Sequence, residues 1–206
     1  MTFAAFRATS LARGLGASVS WFLFSAGLTA LLLASFDVLA IGGSCASGGP
    51  YEIAVECPNS AGLAPLGIFA GLAGVAVALF FAQGFGTSLV DLAWPILFGL
   101  LGAAFLGTAD AGGYIVGGVF ELMALIPLVL VLRASVQRVF LGAVTLGGQR
   151  FYEGENPRRS PIGLNFAAAE YPVKPGISNW LLSAVFLLVP VGAGWAAAMG
   201  IYNAVS

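Results

Sequence analysis

Residues 92–107 read LAWPILFGLLGAAFLG, and whether they cross a membrane decides the fold. The run carries no charge, but Asp91 and Pro95 crowd its start. An α-helix needs ~20 mostly apolar residues to cross hydrocarbon, so it is short. Four other runs are longer: Val19–Gly42, with no charge before Asp37; Ala61–Ala82; Ala111–Leu132, interrupted by Glu121; and Ile177–Tyr202. The basic residues arbitrate. If residues 92–107 cross and the N-terminus is cytoplasmic, segments 1–18, 83–91 and 133–176 share the inner side. Those segments hold Arg7, Arg13, Arg133, Arg138, Arg150, Arg158, Arg159 and Lys174, which are all eight basic residues of the chain. Without that crossing they would be split between the two sides, against the usual inward bias of Lys and Arg. The reading is therefore a five-span all-α helix bundle, one transmembrane domain over residues 1–206. Its N-terminus is cytoplasmic, its C-terminus outside, and its location the cell membrane.

Composition agrees. Of 206 residues, 59% are hydrophobic and 8% charged, with a mean hydropathy of +0.97. Soluble domains carry roughly 25% charged residues, so a water-soluble fold is excluded. The chain has no His, so it cannot by itself build a His-ligated metal centre, a His-ligated haem or a His-based triad. A net charge of −1 provides no field for nucleic acid. Trp21, Trp94 and Trp180 fall at expected inner ends of spans, and Tyr114 and Tyr202 at outer ends, as headgroup-level anchors do. Val38-Leu39-Ala40 has the form of a signal cleavage site, but the apolar stretch before it is longer than a signal core. It is read as a true first span.

The first outer loop, residues 43–60, holds both cysteines, Cys45 and Cys57, with eleven residues between them. An even pair in a short exterior loop reads as a disulfide. Closing it would remove about 3 kcal/mol of unfolded-state entropy in the chain-entropy model. Gly48-Gly49-Pro50 marks a turn, and Tyr51–Val55 has the composition of a short returning strand. The run CASGGPYEIAVECP, residues 45–58, resembles loops of uncharacterised multi-pass membrane proteins of actinobacterial type. That resemblance implies no activity.

On the inner side, Phe3, Phe6 and Leu11 fit one side of a short headgroup-plane helix or a frayed tail. Val136, Val139, Phe140 and Val144 suggest that span four continues as an interfacial helix to Gly147. Beyond it, Pro157, Pro161, Pro172 and Pro175 exclude a long helix. Arg138, Arg150, Arg158 and Arg159 are candidates to touch anionic lipid, at about 1 kcal/mol each, or a cytoplasmic partner.

Small residues recur four apart in the spans: Gly67 and Gly71; Gly74 and Ala78; Gly99, Ala103 and Gly107; Gly113 and Gly117, followed by Glu121; Gly192, Ala196 and Gly200. Such spacing puts them on one helix face and lets backbones approach closely in lipid. These faces serve packing within the protomer or between protomers.

Three carboxylates approach the membrane. Ser88-x-x-Asp91 fits a capping box. Asp37 lies sixteen residues after Trp21, about 24 Å above the inner belt, and Glu121 twelve residues before Arg133, about 18 Å up. Charged groups at such depths default to functional suspects. Glu121, on the Gly113–Gly117 face, is expected to be a neutral carboxyl bonded to a neighbouring helix, with partner contact or an ion path as alternatives. Asp37 is expected to be hydrated at the outer end. Ser20, Ser25, Thr29 and Ser35 are expected to bond between helices.

No catalytic, metal or cofactor motif is present. The sequence is therefore read as a non-catalytic membrane component, self-assembling or an accessory subunit among other membrane proteins. The alternative is an oligomeric channel or small transporter with Glu121 near its path, since Pro95, Gly117-Gly118 and Pro127 suggest broken helices. An enzyme acting on lipid or quinone is the third reading, disfavoured by the missing His.

Overall fold

A computed structural model describes residues 4–7, 11–43, 45–46, 55–81, 89–133, 140, 144–145, 172–173 and 176–206. Five helices are long and apolar enough to cross a membrane: α1 (Leu11–Ala40), α2 (Leu63–Phe81), α3 (Leu89–Leu106), α4 (Ala111–Arg133) and α5 (Ile177–Val205). The fold is an all-α membrane helix bundle. Residues 92–107 do form a spanning helix, and it starts earlier than expected, with Asp91 in its first turn. Ser88, the other half of the expected capping box, lies outside the described residues.

α1 also starts earlier, at Leu11 rather than Val19. The expected separate N-terminal helix is not found. Ala4–Arg7 is instead a strand, β1, pairing antiparallel with β2 (Val144–Thr145) and β3 (Pro172–Val173). Val144 is therefore extended and not part of an interfacial helix. The early start of α1 has a packing reason: a Cβ on Gly14 would meet the Phe186 ring of α5 at 3.0 Å, so this turn is held by another span.

The helices alternate in direction. α1 and α2 cross antiparallel, with Ser20 and Phe24 beside Gly74, and Gly27 and Leu31 beside Gly67. α5 runs parallel to α1, with Phe22 and Ala26 beside Gly194 and Asp37 beside Tyr202. α3 and α4 form a tight hairpin. α2 and α5 each pack closely on α1, whereas the hairpin touches this unit lightly, through α3.

Helix ends follow local chemistry. α1 closes with Gly43 N–H donating to Val38 O (2.9 Å) and Gly42 N–H to Leu39 O (3.1 Å). This double bond pattern needs a left-handed residue after the last turn, and Gly42 supplies it at φ +100°. α3 ends with Ala109 at φ +54°, an unusual place for a residue with a Cβ. Asp110 then starts α4, its Oδ1 accepting the Gly113 N–H at 2.7 Å. α3, α4 and α5 run as helices through Pro95, Pro127 and Pro190. The broken helices expected of a transporter are not found, because the spans continue past each proline.

The core at one end joins Trp21, Phe24 and Leu28 of α1 to Ala78 of α2 and Leu89 of α3. Trp21 is only 5% exposed and meets Phe24 edge-on at 6.2 Å. It is a core residue rather than a headgroup anchor, because α1 begins ten positions before it. Trp94 keeps the anchor's exposure, at 50%.

Candidate functional site

The chain's polar groups are few, and the structure shows what each one touches. Asp37, near the end of α1, receives hydrogen bonds from two distant segments. Tyr202 of α5 donates its phenolic O–H to the carboxylate, at 3.0 Å from Oδ1 and 2.9 Å from Oδ2. Ser60, 1% exposed in the 3₁₀ turn Asn59–Gly62 that leads into α2, donates its Oγ–H to Asp37 Oδ2. One carboxylate therefore joins α1, α2 and α5 at one end of the bundle. Asp37 is not simply hydrated: its oxygens accept hydrogen bonds from Ser60 and Tyr202, an arrangement that ties three elements together.

Cys45 and Cys57 form the expected disulfide, with Cα atoms 4.9 Å apart. Next to it, Ala46 N–H donates to Val55 O at 3.1 Å, and an isolated bridge links Ala46 and Glu56. Tyr51–Ala54, the rest of the expected strand, lie outside the described residues. The loop returns to Ser60, so the disulfide and the Asp37 cluster brace the same end.

Glu121 is half-buried on α4. A Cβ added at Gly102 of α3 would lie 2.9 Å from Glu121 Oε1 and 3.1 Å from its Cδ, so the carboxyl group lies over a glycine in the hairpin seam. Gly117 belongs to the same seam: its Cβ would meet Gly102 O at 2.9 Å. At Gly113 a Cβ would collide with Phe105 O at 2.5 Å and with the Thr108 hydroxyl. Aromatic rings complete the contact, with Phe98 and Phe105 of α3 each 5.5 Å from Phe120 of α4. Asp110 sits at the turn, where the Gly113 N–H holds its carboxyl below the usual carboxylate range.

The glycine expectations divide. A Cβ on Gly67 would lie 2.6 Å from Gly27 O, and one on Gly27 would lie 2.5 Å from Gly71 N. Gly67 and Gly71 therefore both serve the α1–α2 crossing, Gly71 through its backbone. Gly113 and Gly117 serve the hairpin. Among the described residues, nothing lies within 4 Å of a Cβ on Gly192 or Gly200. α5 meets α1 through Gly194 instead, whose Cβ would run into Phe22 O and come within 3.0 Å of Ala26 N. Gly27 has no small residue four positions away to mark it, and Gly194 lies with Ala198 on a second stripe of the same spacing as Gly192, Ala196 and Gly200.

Ser25 donates to Val191 O of α5 at 2.8 Å, the expected bond between helices, whereas Ser35 bonds back to Leu31 O of its own helix at 2.7 Å. Ser20 is buried with no hydrogen-bond partner for its hydroxyl among the described residues. Among the described residues, no three His, Cys, Asp or Glu side chains could together hold a metal ion. Arg138, Arg150, Arg158 and Arg159 lie outside the described residues.

The fold defines a class, that of multi-pass α-helical membrane proteins. No family model matches the chain, and no curated protein or solved structure is similar to it.

Proposed function

We propose that this chain is a non-catalytic component of the cell membrane, N-terminus inside, that assembles with copies of itself or with other membrane subunits. One observation carries the reading. α5 holds a face of small residues, Gly192, Ala196 and Gly200, whose glycines meet nothing among the described residues. Small-residue faces of this spacing let helices approach closely in lipid, and this one is left over by the packing of the described residues. The polar groups support the same reading, since Asp37, Ser60, Tyr202 and Ser25 are engaged in joining helices. Glu121 lies over Gly102 inside the hairpin seam, which favours internal packing over a pore lining.

The test is gentle detergent extraction followed by native mass spectrometry of the full chain and of Gly192→Leu/Gly200→Leu. The expected result is a defined homo-oligomer, or a stoichiometric second membrane protein, that the double variant loses. A wild-type chain recovered only as a partner-free monomer overturns the reading. Altered ion flux in Glu121→Gln, measured in liposomes, would bring the channel reading forward.

A further inference from the structure

The bundle end that carries the disulfide loop also holds a cleft of about 530 Å³ between the last turns of α1 and the α3–α4 turn. Its lining includes Phe36, Ala40 and Gly43 from one side and Phe105, Thr108 and Asp110 from the other. The volume lies in the range of small-molecule sites. The tie through Asp37 is not part of it.

The electrostatic sign of this cleft follows from the topology. α1 and α3 both end here, and each helix C-terminus carries about half a negative charge; the N-terminus of α4 carries about half a positive one. Asp110 adds a full carboxylate, and the groups that hydrogen-bond to it, on Gly113, Thr108 and Gly112, are neutral, so its charge is not cancelled. No Lys or Arg is among the lining residues. The cleft is therefore net negative. Its walls are otherwise mainly apolar residues, Phe36, Leu39, Phe105 and Val116, with Ala and Gly between them. A bare divalent metal asks for six or more oxygen ligands, which one carboxylate and one hydroxyl do not supply. A cation that brings its own alkyl groups matches both features, with the carboxylate as counter-ion and apolar residues beside the substituents.

We propose that this cleft binds a small organic ammonium ion, with Asp110 as its counter-ion and the Phe36 and Phe105 side as its apolar wall. The same chemistry is offered by a free solute and by the headgroup of a choline or ethanolamine lipid.

The experiment uses the full chain in nanodiscs of phosphatidylglycerol, which has no amine. Choline is titrated beside its uncharged carbon isostere, 3,3-dimethyl-1-butanol, with binding read by saturation-transfer NMR. Asp110→Asn removes the charge, while Asn still accepts the Gly113 N–H as a helix cap. It is expected to weaken choline binding by about fivefold or more, the upper end for an exposed charge pair, and to leave the isostere's weaker binding unchanged. Ala103→Leu, which fills the cleft from α3, is expected to abolish both. Repeating the titration in phosphatidylethanolamine discs separates the sources. Weakened choline binding there identifies the lipid headgroup as the occupant, and unchanged binding identifies a free solute. Equal binding of choline and its isostere, undiminished choline binding by Asp110→Asn, or no choline binding at all would overturn the proposal.

Discussion

The α1–α2–α5 unit and the α3–α4 hairpin are built from similar residues but held together differently. In the three-helix unit, backbones touch backbones: Gly27 against Gly67 and Gly71, Gly74 against Ser20 and Phe24, Gly194 against Phe22 and Ala26. Asp37 then ties one end through Ser60 and Tyr202, and the Trp21 cluster fills the other. The hairpin is as intimate within itself, yet it meets the rest of the molecule lightly. Lipid explains why both are stable. With no hydrophobic force pulling helices together in hydrocarbon, association depends on close fit and hydrogen bonds. Glycine contacts inside the hairpin supply the fit locally, whereas among the described residues the hairpin joins the three-helix unit through α3 side chains such as Leu89 in the Trp21 cluster and not through a glycine seam.

Breaking the tighter unit should have the largest effect. Gly27→Leu places a side chain where a Cβ alone would be 2.5 Å from Gly67 O. Separation of α1 from α2 is expected to cost about 4 kcal/mol or more, read by steric trapping in bicelles. Gly192→Leu, two residues from Gly194 but facing open space, should change protomer stability by less than about 0.5 kcal/mol. Equal losses from the two would erase the distinction between the α5 faces.

The hairpin should fail separately. Gly117→Leu is expected to cost about 3 kcal/mol by overpacking the seam. Hydrogen exchange should then rise in α3 and α4 while α1, α2 and α5 stay protected. Uniform deprotection of all five helices would mean that the two regions form one cooperative unit. A smaller loss tests the polar tie: Tyr202→Phe should cost about 1.5 kcal/mol, the scale of a hydrogen bond to a charged group. The expected readout is faster exchange confined to the last turns of α5. A further effect has the opposite sign. Ala109→Gly should stabilise the hairpin turn by about 1 kcal/mol, because glycine adopts the positive φ of that position without a Cβ penalty. An unchanged melting temperature would count against strain there.

Several of these features were legible before any coordinates. Cys45 and Cys57 were legible because two cysteines in one short loop leave one pairing. The α5 face was not, because Pro190, Gly194 and Ala198 repeat at the same spacing as Gly192, Ala196 and Gly200. The two stripes lie roughly 200° apart around a helix of 3.6 residues per turn, and spacing alone does not say which meets α1. Trp21 misled for a related reason: an aromatic near an expected span end reads as an anchor unless the helix is known to begin earlier.

By itself, the sequence determined the number of spans and their alternation. Apolar length is set residue by residue against the thickness of hydrocarbon, and the basic residues gather on the segments that this alternation puts together. Tertiary structure alone decided that Asp37 is bound to Tyr202, 165 residues away, that Gly194 rather than Gly192 is the seam of α5, and that α3 and α4 stand apart as a pair. Those outcomes depend on how the spans rotate and pair, which hydropathy cannot encode because lipid and a neighbouring helix are nearly equally apolar to a side chain.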